Sequence, residues 1–356
     1  MKTIPWTVIL AFSFLQASAY ADDNSDCSAS GGLTFICGPQ NAEDLVLVPK
    51  TDWVLSSSMG PVGGLYLIDS AQKTWRQIYS DDSKHARQDM ATYGKCPGAP
   101  TAQTFTTHGL NIRAGLDGHS TLYVVGHGGR EAIEVFDVDA NGAEPALTWI
   151  GCIPMPDGLA ANSVASFSDG SLVATVLMNP GDTFQDMFAG KPTGAVYEWS
   201  AGDTGFTLIK GTELPGNNGI EVSRDEKEIF VASTGLRTLV AFSRSNPSSL
   251  LRSTRILTFI PDNVHMTADG ELLTAGTNSE EEGCAALTDE NVTLEEFASC
   301  PRGFIAARID PDTMADINVV EAKANSSFSN ATMALEVGAE MWIGTFSGDR
   351  IGVAPK

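Results

Sequence analysis

Short runs in which apolar and polar residues alternate are the most regular feature of this sequence, and turn residues separate them. One unit, made of an alternating run, a turn with Asp or Gly and a second run, recurs six times. Alternation with a period of two predicts a half-buried β-strand, and two such runs joined by a turn predict a β-hairpin. The six copies begin at Glu43, His108, Asn162, Asn218, Asp262 and Thr332.

The spacing of these hairpins is typical of the blades of a β-propeller. Successive copies start 44 to 70 residues apart, and propeller blades recur at roughly 40–50 residues, with loop insertions lengthening some steps. Further strand-like runs between the copies, such as Ala132–Val138 and Thr238–Ser243, supply the outer strands of each blade. The sequence therefore predicts an all-β, six-bladed propeller around a central channel. A β-sandwich array is the alternative, but it does not predict one unit repeated six times.

Helical periodicity is scarce, and Leu287–Ser299 is the segment that shows it best. Cys284 and Cys300 flank this segment, which predicts a surface excursion closed by a disulfide. Two insertions, Thr74–Thr107 and Gly276–Arg302, are the candidate lids over the channel.

The N-terminal residues have the pattern of a secretory signal. Lys2 gives a positive start, Val8–Leu15 is apolar, and Ala19-Tyr20-Ala21 is a small-residue cleavage site. A membrane anchor is the alternative interpretation, but the apolar run is too short to span a bilayer. We therefore expect residues 1–21 to be a signal peptide and residues 22–356 to form one propeller domain. The mature chain is expected to be secreted or periplasmic, without a transmembrane anchor.

Six cysteines lie in the predicted mature chain, and an even number in an exported protein implies disulfides. Six cysteines allow fifteen pairings. Proximity in sequence favours the set Cys27–Cys37, Cys96–Cys152 and Cys284–Cys300. A thiolate metal site is the alternative, but the sequence has no C-x-x-C pair.

The chain is strongly acidic, with 22 Lys and Arg against 44 Asp and Glu and a formal net charge of −22. Nucleic acid is excluded as a partner, because phosphate binding requires a basic surface. The same charge favours the binding of cations.

The first residues of the inner strands of a propeller converge on its axis, so the residues that open the six repeats are expected to meet there. At five of the six starts they are carboxylates and side-chain amides with one histidine, namely Glu43, His108, Asn162, Asn218 and the pair Asp262 and Asn263. Oxygen ligands of this kind suit Ca²⁺, whereas zinc recruits more His or Cys. The sequence therefore predicts a calcium ion in the channel. The alternative is that Asn and Asp begin these strands only because they are good turn residues.

Two of the five histidines belong to one predicted hairpin, since His108 opens a repeat and His127 ends its second strand. Such a pair can act as a base with an orienting partner, or it can be a hydrogen-bonded structural pair. His265 lies three residues beyond Asp262 and is expected to approach the channel. The sequence has no G-x-S-x-G elbow, no H-E-x-x-H motif and no phosphate-binding glycine loop. A serine esterase, a zincin and a nucleotide enzyme are therefore disfavoured.

The order and spacing of several short motifs resemble the paraoxonase/arylesterase family, which is allied to the gluconolactonase and senescence-marker-protein-like propellers. The similarity extends over residues 43 to 350. It is carried by His108-Gly-Leu-Asn-Ile, Leu122-Tyr-Val-Val-Gly-His-Gly-Gly-Arg, Asn217-Asn-Gly-Ile-Glu-Val-Ser, Pro261-Asp-Asn-Val and Thr332-Met-Ala-Leu.

This resemblance implies a six-bladed propeller that hydrolyses lactones, and often aryl esters, with calcium in its channel. It implies a catalytic histidine dyad of His108 and His127. A second, structural calcium is implied at Asp44 and the backbone oxygen of Leu110, but Ser163 stands where the family has an acid. The family also joins its chain ends by a disulfide, and no cysteine follows Cys300 here, so the closure must differ. The catalytic calcium ligands that the resemblance implies are Glu43, Asn162, Asn218, Asp262 and Asn263.

The expected function is therefore that of a calcium-dependent lactone or ester hydrolase with a small-molecule substrate. One alternative is a non-catalytic propeller that uses calcium for stability and binds a small molecule or a protein. Another is a metal-free enzyme similar to strictosidine synthase, against which the ring of amides and carboxylates argues.

Overall fold

The structure is a computed structural model, and it describes residues 26–60, 63–79, 85–101, 104–287 and 292–356. The predicted signal peptide, residues 1–21, lies outside the described residues. Among the helices of the described part of the chain, none has the length and apolar character needed to cross a membrane.

Strands dominate the described chain, and two short helices interrupt them. The elements in chain order are β1 (Thr34–Cys37), β2 (Leu45–Leu47), β3 (Trp53–Ser57), β4 (Leu65–Asp69), β5 (Thr74–Tyr79), β6 (Phe105–Ala114), β7 (His119–Gly128), β8 (Ala132–Asp139), β9 (Ala146–Pro154), β10 (Val164–Ser166), β11 (Leu172–Val176), α1 (Phe184–Phe188), β12 (Ala195–Trp199), β13 (Thr207–Leu208), β14 (Asn217–Val222), β15 (Glu228–Ser233), β16 (Thr238–Ser243), β17 (Leu250–Ser253), β18 (Phe259–Met266), β19 (Leu272–Asn278), α2 (Leu294–Ser299), β20 (Phe304–Ile309), β21 (Asp316–Ala322), β22 (Ala331–Val337), β23 (Glu340–Thr345) and β24 (Arg350–Pro355).

These strands form six antiparallel sheets of four strands each within the described residues. Blades 1 to 5 take consecutive strands, from β2–β5 to β18–β21, and blade 6 consists of β22, β23, β24 and β1. The first strands of the blades (β2, β6, β10, β14, β18 and β22) contact those of both neighbouring blades, so they surround the axis. The prediction of a six-bladed propeller is confirmed.

The ring is closed by strand pairing between the two ends of the chain. Strand β1 adds to β24 with Thr34 opposite Val353 and Cys37 opposite Arg350. Blade 6 obtains its outer strand in this way, because β22 to β24 supply only three. Ile36 anchors the strand in an apolar cluster with Ile351, and Cys27–Cys37 ties it to the preceding segment. Backbone hydrogen bonds thus perform the closure that a disulfide performs in the family that the sequence resembles.

All three disulfides join the cysteines that proximity in sequence favours: Cys27–Cys37, Cys96–Cys152 and Cys284–Cys300. The Cα atoms of the pairs are 6.1, 5.2 and 5.8 Å apart, which is the ordinary range for disulfides.

The helices differ from the sequence prediction in extent and number. The predicted helix over Leu287–Ser299 is confined in the described residues to α2, which begins after Thr293. The Thr293 hydroxyl and the Glu296 carboxylate form a capping box that fixes this start. Thr183 and Asp186 form the same capping box at the start of α1, a helix that the sequence analysis missed although its signature is present.

Candidate metal centre and histidine pair

Irregularities in the inner strands occur at the residues that open the sequence repeats. Register shifts lie between Thr107 and Leu110 in β6, between Asn217 and Ile220 in β14, and between Pro261 and Val264 in β18. These shifts span His108, Asn218, Asp262 and Asn263. A β-bulge redirects the side chains of its extra residues, and here it directs them toward the axis.

Two glycines allow the bulged strands to approach one another closely. A Cβ on Gly219 would lie 2.4 Å from the carbonyl oxygen of Asp262, and a Cβ on Gly109 would lie 2.7 Å from that of Asn162. Each glycine follows a predicted site residue, since His108 precedes Gly109 and Asn218 precedes Gly219. Gly109 and Gly219 are therefore required for neighbouring blades to approach each other at the channel.

Threonine hydroxyls fix the backbone of the same residues. Thr175 donates to the carbonyl of Asn218, Thr274 to that of Asn263 at 2.7 Å, and Thr332 to that of Glu43 at 2.6 Å. All three threonines are fully buried, so these hydrogen bonds are protected from water and hold the first residues of the inner strands in place.

The predicted ligand residues meet in the channel. Asn263 donates from Nδ2 to Glu43 Oε1, and Asn218 is hydrogen-bonded to Asp262. Asn162 is connected to the group through Thr175, whose carbonyl accepts from the Asn162 N–H at 2.8 Å and whose hydroxyl donates to the Asn218 carbonyl. Glu43, Asn162, Asn218 and Asn263 are buried, and Asp262 is partly exposed.

Four oxygens of this group are buried without any hydrogen-bond partner, and they are Glu43 Oε2, Asn162 Oδ1, Asn218 Oδ1 and Asn263 Oδ1. Within the described residues only two other buried side-chain N or O atoms, Thr238 Oγ1 and Arg302 Nε, lack a partner. A buried polar atom without a partner costs about 1–3 kcal/mol. A hard cation of the calcium type fits this set of four oxygen donors and would give them a common partner.

The chemistry of the candidate ligands favours a hard cation over a softer metal. In the part of the chain that the structure describes, no three His, Cys, Asp or Glu side chains form a metal-binding cluster. The candidate centre instead combines the carboxylates of Glu43 and Asp262 with three asparagine amides. Amide oxygens are poor zinc ligands and good calcium ligands.

Burial disfavours the ionised form of both carboxylates of the centre. Burial, reinforced by the charges of Asp262 and Asp44, raises the pKa of Glu43 well above its ordinary value. Burial also raises the pKa of Asp262, to about 7, with a further contribution from Asp44 and an opposing hydrogen bond from Asn218. A bound divalent cation would offset both the burial and the repulsion.

His108 and His127 form the predicted pair beside this centre. His108 Nδ1 lies 3.2 Å from His127 Nε2, and His108 Nε2 lies 3.6 Å from Glu43 Oε1. Burial lowers the pKa of His108 to about 3, and His127 contributes in the same direction. A neutral His108 can accept a proton through a free ring nitrogen.

Glu131 is a member of this site that the sequence analysis missed. Its Oε2 lies 2.5 Å from His127 Nδ1, on the side of the ring away from His108. A carboxylate four residues after a histidine in a Gly-rich turn was the available signal, but the contact depends on how the turn folds.

The residues of the implied second metal do not fit an ion. Both oxygens of Asp44 are occupied, because Oδ2 accepts from the Leu110 N–H at 2.7 Å, and Oδ1 accepts from the Leu45 N–H at 2.8 Å. His265 Nε2 also lies 2.9 Å from Asp44 Oδ1. Ser163 is buried and adds no charge.

His265 reaches the channel as predicted, but it serves as a bridge between carboxylates. Its Nδ1 lies 3.7 Å from Glu221 Oε2, opposite its contact with Asp44. Burial lowers the pKa of His265, but Asp44 and Glu221 more than offset this and raise it to about 10. A cationic side chain thus stands where the resemblance implies a second metal.

The two insertions that were predicted as lids pack on different parts of the propeller. Residues 85–101 of the Thr74–Thr107 insertion dock on the outer strand β9, where Arg87 and Asp89 donate backbone hydrogen bonds to Trp149 and Ile150, and only their end lies beside His127. Helix α2 of the Gly276–Arg302 insertion packs on α1 through Phe297 and Phe184, whose ring centroids are 5.1 Å apart.

Comparison with known proteins shows the fold. No protein-family model matches this sequence, and no curated protein sequence matches it. Among solved structures, a luciferin-regenerating enzyme is similar with a TM-score of 0.53 at 14% identity, over 91% of this chain and 95% of that one. A gluconolactonase from Xanthomonas campestris is similar with a TM-score of 0.52 at 13% identity, over 91% of this chain and 89% of that one.

A protein of unknown function from Bacteroides thetaiotaomicron is also similar, with a TM-score of 0.51 at 9% identity, over 91% of this chain and 76% of that one. The structural neighbours thus include a gluconolactonase, in agreement with the group of propellers to which the motifs point. At these identities the likeness shows a shared fold, and propellers support many functions. The function of this chain therefore depends on its channel residues.

Proposed function

We propose that this protein is a calcium-dependent hydrolase that opens lactones, with aryl esters as a second class of substrate. The observation that carries the proposal is the set of four buried, unpartnered oxygens on Glu43, Asn162, Asn218 and Asn263. These residues and Asp262 would hold the ion. Bound there, the ion would supply a Lewis acid for the carbonyl oxygen of a lactone.

The protein's own residues supply the proton transfers. His108 is neutral, and its Nε2 faces the centre, so it takes a proton from a water molecule whose oxygen attacks the carbonyl carbon. The bond between the carbonyl carbon and the ring oxygen then breaks. The ring oxygen receives the proton from His108, which yields a hydroxy acid and restores the neutral imidazole. His127 holds the His108 ring in orientation through the 3.2 Å contact.

Two further features support the proposal. The gluconolactonase among the structural neighbours acts on a lactone in a propeller of this shape. Three disulfides and an acidic surface suit an exported enzyme, and we propose a secreted or periplasmic location for the mature chain.

The test pairs metal analysis with activity. The purified mature protein is assayed for bound calcium and for acid release from γ-lactones, δ-lactones, gluconolactone and a phenyl ester, with and without a chelator. We expect bound calcium and hydrolysis that the chelator abolishes and calcium restores. Calcium without turnover of any substrate would favour the non-catalytic propeller, and absence of calcium would overturn the ligand assignment.

Neighbouring asparagines provide a matched pair of variants. Asn217 and Asn218 are both buried, but Asn217 has its amide oxygen bonded to the Leu214 N–H and its amide nitrogen to the Thr212 carbonyl. Asn218→Ala is expected to abolish calcium binding and hydrolysis. Asn217→Ala is expected to lower stability and to keep calcium, so the comparison separates loss of a ligand from loss of folding.

A further inference from the structure

We infer that Glu131 is a positioning residue that fixes the tautomers of both histidines and so leaves His108 Nε2 free to act as the base. The inference rests on the proposed function for its catalytic meaning. Its structural basis is a row of contacts that runs from the channel outward. His108 Nε2 is 3.6 Å from Glu43, His108 Nδ1 is 3.2 Å from His127 Nε2, and His127 Nδ1 is 2.5 Å from Glu131 Oε2.

Glu131, the carboxylate at the outer end of this row, determines the direction of its two hydrogen bonds, since the 3.6 Å separation of His108 from Glu43 is longer than a hydrogen bond. An ionised carboxylate only accepts, so His127 must carry its proton on Nδ1. In the neutral imidazole form with its proton on Nδ1, His127 has a bare Nε2, which accepts from His108 Nδ1–H. His108 in turn has a bare Nε2, and that lone pair faces the candidate metal centre. Without Glu131 the opposite tautomers become available, and they place a proton where the base is needed.

The conformation of the turn between β7 and β8 places Glu131 next to His127. Gly128 has a φ of +95°, and a Cβ there would lie 2.4 Å from the Thr104 carbonyl oxygen. The turn therefore excludes a larger residue directly after His127. At its other end the Glu131 carbonyl accepts from the Met155 N–H at 2.9 Å, which anchors the residue to β9.

The neighbouring arginine is already engaged elsewhere. Arg130 donates two hydrogen bonds to Glu134, at 2.7 and 2.8 Å, and Glu134 also accepts from the Trp149 indole at 2.7 Å. This buried network keeps the Arg130 guanidinium on Glu134. The charge of Glu131 is therefore directed at the imidazole, where it also stabilises the imidazolium that forms during proton transfer.

The first experiment observes the tautomers directly and needs no substrate. Protein labelled with ¹⁵N at its histidines is studied by NMR as wild type, Glu131→Gln and Asp137→Asn. We expect Nδ1–H tautomers for His127 and His108 in the wild type and a mixture in Glu131→Gln. Asp137→Asn is the matched control, because Asp137 holds exposed His119 of the same blade at 2.9 Å. An Nε2–H tautomer of His127 in the wild type, or unchanged tautomers in Glu131→Gln, would overturn the inference.

The second experiment measures catalysis with the best lactone found. Glu131→Gln is expected to lower kcat on the order of 10- to 100-fold, with KM changed less than about twofold and calcium content unchanged. Formate is expected to restore part of the activity of Glu131→Gly, since a cavity of about 190 Å³ lies beside His127. Asp137→Asn is expected to retain wild-type kcat with or without formate.

The two experiments distinguish the inference from the function on which it rests. If no lactone or ester is hydrolysed, the proposed function fails and the NMR result still decides the role of Glu131. If the wild type is active and Glu131→Gln retains full kcat, Glu131 does not position the base. If the variants lose kcat, unfold at a lower temperature than the wild type and are not rescued by formate, Glu131 has only a structural role.

Discussion

His265 occupies the place in the channel where the resemblance implies a second metal ion. His265 lies between Asp44 and Glu221, and the backbone N–H groups of Leu45 and Leu110 complete the shell of Asp44. Between these two carboxylates the imidazole of His265 takes the place that a metal cation would occupy. Ser163 also removes the acid that the implied second ion would need.

We expect one calcium per chain, and we expect His265→Asn to destabilise the fold. Removing one partner of a buried ion pair costs about 3–5 kcal/mol, because it leaves the other charge without compensation. The free energy of unfolding at neutral pH, measured in urea with calcium present, should fall by about 3 kcal/mol. His119→Asn is the control, since His119 pairs with Asp137 in solvent and exposed pairs contribute less than about 1 kcal/mol.

Two ions per wild-type chain, by metal analysis after dialysis, would contradict this assignment. So would a His265→Asn variant as stable as His119→Asn. The double variant Ser163→Asp with His265→Ala offers a gain of function, because it restores an acid and removes the competing cation. It is expected to bind a second calcium ion.

At the scale of the element, the bulges in the inner strands connect the fold to the site. Strands β14 and β18 each carry an irregularity at the residues that point into the channel. Gly219 lies inside the first of these, against the backbone of the second, with Val264 N at 2.7 Å from the position of a Cβ. Backbone atoms cannot yield as a flexible side chain can.

Gly219→Ala is therefore expected to separate β14 from β18 and to weaken calcium binding at least about tenfold. Such a loss corresponds to about 1.4 kcal/mol of binding free energy. Gly205→Ala is the matched control, because the nearest atom to its Cβ position is the Pro154 carbonyl oxygen at 4.0 Å. Calorimetric titration with calcium measures both variants, and equal affinities would show that the bulge does not set the geometry of the ligands.

Local pattern was sufficient to predict the elements, but it was not sufficient to predict how they join. Each repeat start lies in or just before an inner strand, for example Asn218 in β14 and Asn162 before β10. Alternation and turn residues are local properties, and they carry that information. The pairing of β1 with β24 joins Thr34 to Val353, and nothing in either short strand identifies the other.

The same distinction separates the site residues that were predicted from those that were missed. The ligand residues share one position in a repeat, so symmetry brings them together whatever the details of the loops. Glu131 contacts His127 only because the turn after β7 takes one conformation. His265 meets Asp44 only because blades 5 and 1, which blade 6 separates around the ring, come together at the channel. Such contacts depend on tertiary structure and leave no repeat in the sequence.

At the scale of the whole molecule, strand pairing in blade 6 closes the ring, and candidate ligand residues from several blades meet at one centre on its axis. Glu43 belongs to blade 1, Asn162 to blade 3, Asn218 to blade 4, and Asp262 with Asn263 to blade 5. An ion bound there would link four blades. Without it, these blades bring carboxylates and oxygens without hydrogen-bond partners close to one another. Calcium should therefore stabilise the whole propeller and not only a local loop.

We expect calcium to raise the unfolding temperature and magnesium to raise it much less at the same concentration. Calcium accepts many oxygen ligands in flexible geometry, whereas magnesium requires a small octahedron and releases its water reluctantly. Calcium at a hundred times its Kd adds about 2.7 kcal/mol of stability, which corresponds to a rise of several degrees. The net charge of −22 attracts both cations without selectivity, so magnesium measures that general effect.

Calcium should stabilise Asn218→Ala only as much as magnesium does, whereas Asn217→Ala should keep the full difference between the ions. Equal effects of the two ions on the wild type would show that the oxygens on the axis do not form a calcium site.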